Sequence, residues 1–97
     1  LPMNLTDLHP ADKALSAKPL FANAGGSTVA IQLQKGGILP EHISQVPALL
    51  LCVSGEVIYQ TNDAPEQRLQ SGDYVHIPPQ VKHQLIALEA AALVLIK

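Results

Sequence analysis

Gly72-Asp73-Tyr74-Val75-His76-Ile77-Pro78-Pro79 decides the fold, because it holds a complete strand together with its start and its stop. Gly72 and Asp73, following Ser71, are turn formers: glycine admits left-handed backbone, and aspartate folds its side chain back on the main chain. Tyr74 to Ile77 is rich in the aromatic and β-branched residues that suit a pleated sheet. Pro78-Pro79 ends it, since proline has no N–H to offer a neighbouring strand. A strand this short between turn signals belongs to an antiparallel β domain.

The same grammar extends on both sides. Val29, Ile31 and Leu33 alternate with Ala30, Gln32 and Gln34 until Gly36-Gly37, the period-two pattern of a strand with one buried face. Ala48 to Val53 is apolar without a break, so both of its faces need cover. Counting in twos from Ala48 sends Ala48, Leu50 and Cys52 to the interior and Leu49, Leu51 and Val53 to the opposite face. Ser54-Gly55-Glu56 reads as a turn or bulge before Val57-Ile58-Tyr59, and Thr61 to Pro65 as a loop. Leu85 to Leu88 and Ala92 to Ile96 close the series, parted by a small-residue turn at Glu89-Ala90. Residues 6–17 are the one stretch that reads as a short helix, with Pro10 in its first turn and Asp12 near its N-terminal end.

About eight short strands in 97 residues predict a closed or doubled antiparallel sheet, which leaves no open edges. The expected fold is all-β, a jelly-roll barrel occupying residues 1–97 as one domain, with 1–17 as an N-terminal extension. An immunoglobulin-like sandwich is the structural competitor, but the chain has no Trp and a single cysteine, so the usual core pairing of that fold is missing.

Gly37, His42, Gly55, Gly72, Pro78 and His83 fall in an order that resembles the two signature motifs of the cupin superfamily, whose fold is a double-stranded β-helix. In the first motif His42 takes the first His position and Gly55 the closing Gly, while Ser44 stands at the second His position and Ala48 at the Glu position. In the second, Gly72, Pro78 and His83 match, Gln80 replaces an inner Gly, and Ala87 fills the terminal Asn position. The resemblance covers residues 36–87. Cupin metal centres draw three His and one Glu from the equivalents of 42, 44, 48 and 83, so the resemblance implies a reduced ligand set of His42 and His83. Serine is a poor ligand for Zn, Fe, Ni or Cu. No cofactor is firmly predicted, and two imidazoles plus waters are expected to hold a divalent transition metal only weakly. His76 completes a three-His site if a bulge near the barrel rim turns it inward.

The expected pocket comprises His42, Ser44, Ala48, Leu50, Tyr59, His83 and Leu85, with Val57 beside them. It predicts a small-molecule binding or sensing domain, because no carboxylate falls at a pocket position to orient either His and two metal ligands are missing. The alternative is a metal-dependent enzyme of oxygenase or isomerase type working with the reduced set. Cys52, in an apolar run, is expected to be a core residue rather than a thiolate.

Composition narrows the partners. The net charge is -2 with the six Lys and Arg scattered, which offers no basic stripe for nucleic acid. No apolar run is long enough to span a membrane, and residues 1–5 lack the basic and apolar regions of a signal sequence. A lone cysteine fits a reducing compartment, so a cytoplasmic location is expected. Charged residues make up only 14%, against about 25% in ordinary domains, and with the outward Leu49, Leu51 and Val53 this predicts a homodimer. A monomer results instead if the N-terminal segment covers that face.

Overall fold

A computed structural model of the chain describes residues 1–62 and 64–97. Asp63, in the loop expected at 61–65, lies outside the described residues. The described chain forms seven antiparallel strands: β1 (Leu15–Asn23), β2 (Gly26–Leu33), β3 (Ile38–His42), β4 (Ala48–Thr61), β5 (Gln67–Gln70), β6 (Tyr74–Ile77) and β7 (His83–Ile96). β4 and β7 are the long central pair, and the others are distributed along their two ends. β2 and β6 flank one end, with β1 outside β2; β3 and β5 flank the other. This is the double-stranded β-helix the sequence predicts, with both inner faces turned onto one core.

Two expected turns are instead one bend. Ser54-Gly55-Glu56 and Glu89-Ala90 do not separate strands; they face each other where the β4–β7 register shifts between Cys52 and Val57. The two 14-residue strands pass through the bend together and so serve both halves of the barrel. Gly55 makes the close approach possible. Its φ is +84°, and a Cβ there would overlap the Ala90 carbonyl oxygen.

The alternation along Ala48–Val53 holds. Leu50 and Cys52 are 1% and 0% exposed, whereas Leu49 and Leu51 are half-buried and Val53 is exposed. Ile31, Leu33, Val57, Tyr59, Leu69, Val75, Ile77, Leu85 and Leu93 complete the core. Cys52 is packed there as a small apolar residue, and burial, followed by the nearby Asp73 charge, pushes its thiol pKa up.

The helix expected over 6–17 does not form. Leu5–Leu8 makes a single 3-10 turn, capped by Asn4, whose Oδ1 accepts the Thr6 N–H at 3.0 Å. From Leu15 the chain is strand, because Leu15 and Ala17 lie opposite Leu33 and Ile31 of β2 and sheet pairing overrides the helix preference of Lys, Ala and Leu. No helix among the described residues is long and apolar enough to cross a membrane.

Candidate functional site

The end of the barrel built by β3, β5 and the adjoining halves of β4 and β7 brings the two motif histidines together. His42 closes β3, His83 opens β7, and the two are in register, with Thr61 of β4 on the other side of His83. Their ring centroids lie 4.2 Å apart at an interplanar angle of 59°, although 41 positions separate them in sequence. Tyr59 stands behind, its ring 6.0 Å from that of His83. His83 is buried and His42 is exposed, so the pair runs from the interior to the barrel mouth.

Backbone contacts fix both tautomers. His42 Nδ1 is 2.9 Å from the Pro40 carbonyl oxygen, and His83 Nδ1 is 3.1 Å from that of Val81. A carbonyl only accepts, so each Nδ1 carries the proton and donates it, which leaves each neutral ring with Nε2 as an acceptor. Burial, the main cause, lowers the His83 pKa below its ordinary value; the Val81 contact opposes this, and the charges of His42 and Lys97 add to it. A buried neutral imidazole beside a second one is a hydrogen-bond acceptor at neutral pH.

Other residues of the expected pocket are placed differently. Ser44 is buried, but its hydroxyl donates to the Val46 carbonyl at 2.6 Å and so serves the β3–β4 loop. Ala48 lies in the core, in register with Ile77. Leu50 and Leu85 are each 1% exposed, closed into packed core. His76 does not turn inward: on β6, Val75 and Ile77 are buried while Tyr74 and His76 are exposed, and His76 makes an edge contact with the Tyr74 ring at 5.9 Å. Its place is the rim of a recess.

That recess, about 230 Å³, is lined by Tyr59, Thr61, Ala64, Gln67, His76, Pro78 and Val81. Of these only Tyr59 belongs to the sequence-based pocket, and neither His42 nor His83 lines the recess itself. Register could have found two of the others, since Gln67 pairs with Tyr59 and Thr61 with His83. The Pro40 and Val81 carbonyls carry no sequence signal at all.

The donors at the motif positions do not fit a resident metal centre. Two Nε2 atoms are offered, Ser44 Oγ is engaged and Ala48 has no donor, whereas transition-metal sites take three or four N, S or O ligands from protein. No group of three or more His, Cys, Asp or Glu among the described residues is arranged to hold a metal ion.

Gln80, the residue at the inner Gly position, adopts φ 66°, a left-handed conformation that costs a side-chain-bearing residue about 1–2 kcal/mol. Its backbone N–H donates to Ser44 O at 2.9 Å, tying the loop before His83 to the loop after His42. Gln80→Gly is expected to raise stability in urea denaturation by up to about 1 kcal/mol, the relief being partly offset by glycine's greater freedom when unfolded. A loss of that size would show instead that the Gln80–Gln45 side-chain hydrogen bond outweighs the backbone cost.

A family model for the cupin domain matches residues 29–96. Among solved structures, the chain resembles a cupin superfamily protein from Desulfitobacterium hafniense DCB-2, with a TM-score of 0.86 and 17% identity over 100% of this chain and 89% of that one. It also resembles an RmlC-like cupin from Shewanella frigidimarina NCIMB 400, with a TM-score of 0.79 and 23% identity over 90% and 78%. A conserved protein of unknown function from Streptococcus pyogenes gives a TM-score of 0.82 and 22% identity over 99% and 84%. No curated protein matches the sequence. At these identities the structures speak for the fold alone, and with the family match across both motifs they agree on one assignment: the chain belongs to the cupin family.

Proposed function

We propose that this cupin is a small-molecule binding or sensing domain, and that its ligand occupies the recess beside Tyr59 with polar groups directed to His42 and His83. The observation that carries this reading is the pair of rings 4.2 Å apart with both Nδ1 atoms committed to backbone carbonyls. Two fixed acceptors select a ligand with hydroxyl or N–H donors. Tyr59, Ala64, Pro78 and Val81 supply the apolar wall. At about 230 Å³ the recess falls below the roughly 300–1,000 Å³ of drug-sized sites, so the ligand is small. The functional unit is a homodimer.

A metal-dependent enzyme is the second reading, favoured by the same two Nε2 atoms and opposed by the donor set at 44 and 48. Elemental analysis of protein purified without added metal or chelator separates the two. Near-stoichiometric Fe, Ni, Mn or Zn overturns the binding domain in favour of the enzyme. The binding reading is tested by thermal-shift screening of small hydroxylated compounds: hits are expected whose stabilisation falls at least about tenfold in affinity, near 1.4 kcal/mol, in a folded His83→Gln variant. Hits indifferent to His83 and His42 would place binding elsewhere.

A further inference from the structure

We propose that residues 1–14 form a strap over the outer face of β1 and β2, and that proton uptake by His9 releases it. The strap is distinct from the recess beside Tyr59, with which it shares no lining residue. Two outward-facing positions reveal its cover. Ala30 and Ser16 lie outward by the alternation of β2 and β1, yet they are 1% and 5% exposed; the 3-10 turn at Leu5–Leu8 lies against β2, and His9 reaches Ser16. Met3, Leu5 and Leu8 of the strap border, with Pro19 and Leu20 of β1, an open apolar recess of about 230 Å³.

Three polar contacts hold the strap down. His9 Nδ1 and Ser16 Oγ are 2.7 Å apart, Gln34 Nε2 donates to the Ala11 carbonyl at 2.6 Å, and the Gln34 N–H donates to the Ala14 carbonyl at 3.0 Å. Of these only the first can titrate. With His9 neutral, the buried Ser16 hydroxyl donates to Nδ1 and both groups are satisfied. A protonated ring can only donate, so the Ser16 proton loses its acceptor, and a charge appears at a partly buried site beside the Lys18 ammonium of β1. Both effects act in one direction: burial first, and then Lys18, hold the His9 pKa below its ordinary value. The contact reaching the strap from the end of β2 comes from neutral Gln34. Asp7, Asp12 and Lys13 belong to the strap itself.

Because closure depresses the His9 pKa, the closed state is fully favoured above the ordinary histidine value and is weakened as pH falls below about 6.5. Opening uncovers Ala30, which is in register with Val94 of β7, and so extends the apolar outer face of β4 and β7.

Hydrogen–deuterium exchange of the whole chain, read on peptides covering residues 1–14 and corrected for intrinsic rates, tests this at about pH 7.5 and 5.5. The wild-type strap is expected to open about twofold or more as pH falls, with β4 and β7 peptides unchanged. His9→Gln, neutral throughout, is expected to abolish the pH dependence, and Ser16→Ala to raise opening at the higher pH and reduce the dependence. A wild-type strap insensitive to pH, or a His9→Gln strap that keeps the wild-type dependence, overturns the proposal.

Discussion

The double variant Ser44→His, Ala48→Glu is expected to bind a divalent transition metal at least about 100-fold more tightly than the parent, since even outer-shell partners of metal ligands are worth about 10–100-fold in affinity. The parent offers His42 and His83, whose Nδ1 atoms already donate to Pro40 O and Val81 O; such a contact on the far nitrogen orients an imidazole ligand. The variant adds the missing imidazole and carboxylate at the motif spacing. Stability gives an independent readout. Position 48 is 7% exposed, so a carboxylate there is costly when unpaired, and the metal-free variant is expected to melt below the parent. Added Zn, Ni or Mn is then expected to raise its Tm in proportion to the logarithm of metal concentration, as ligand linkage requires, with little response from the parent. Isothermal titration on a folded variant showing no gain in affinity would mean that positions 44 and 48 do not face the histidine pair, and the motif alignment would fail there.

Where local chemistry has a single reading, the sequence was legible. The strand Tyr74–Ile77 lies between Gly72, at φ +90°, and Pro78 as expected, and the alternation of Ala48, Leu50 and Cys52 against Leu49 and Leu51 separates core from outer face. The motif spacing brought His42 to His83. The bend was not legible, because Ser54-Gly55-Glu56 suits a hairpin turn as well as a bulge and only the partner strand distinguishes them. The start of β1 was lost for a related reason: Ala14, Leu15 and Ala17 are good helix formers, and the strand state of Leu15 and Ala17 comes from pairing with β2. The outward turn of His76 follows from regular alternation around Val75 and Ile77, the ordinary pattern for a strand without a bulge. The site's tautomers depend on backbone carbonyls of Pro40 and Val81, whose positions no side chain announces.

The other large effect expected is on assembly: the chain should sediment as a dimer at micromolar concentration, and Leu51→Asp should weaken that dimer by about 1,000-fold, near 4 kcal/mol. The surface responsible spans β6, β4 and β7. Leu51 is flanked in register by Tyr74 and Val94, and Leu49 by His76 and Ile96, which makes two adjoining cross-strand rows dominated by apolar side chains. Tyr74 is 58% exposed and Ile96 44%. A contiguous apolar patch of this kind marks an interaction site. The 3-10 turn of the strap lies against β2. Total exposed area points the same way. The chain exposes 5937 Å², roughly 10% above the area that size scaling assigns to a compact monomer of this mass, an excess of about 600 Å² that is smaller than the ~800 Å² per partner of a standard interface. A second copy meeting the face across a twofold axis matches apolar rows to apolar rows, and twofold dimers are the commonest closed assemblies. Each large side chain withdrawn from water contributes about 1.5–3 kcal/mol, and an unpaired aspartate at Leu51 both removes one and desolvates a charge. Because Leu51 points away from the core, the variant should keep the β-rich circular dichroism of the parent. A monomeric parent would sink the dimer, and a folded Leu51→Asp variant that stayed dimeric would move the interface off this face.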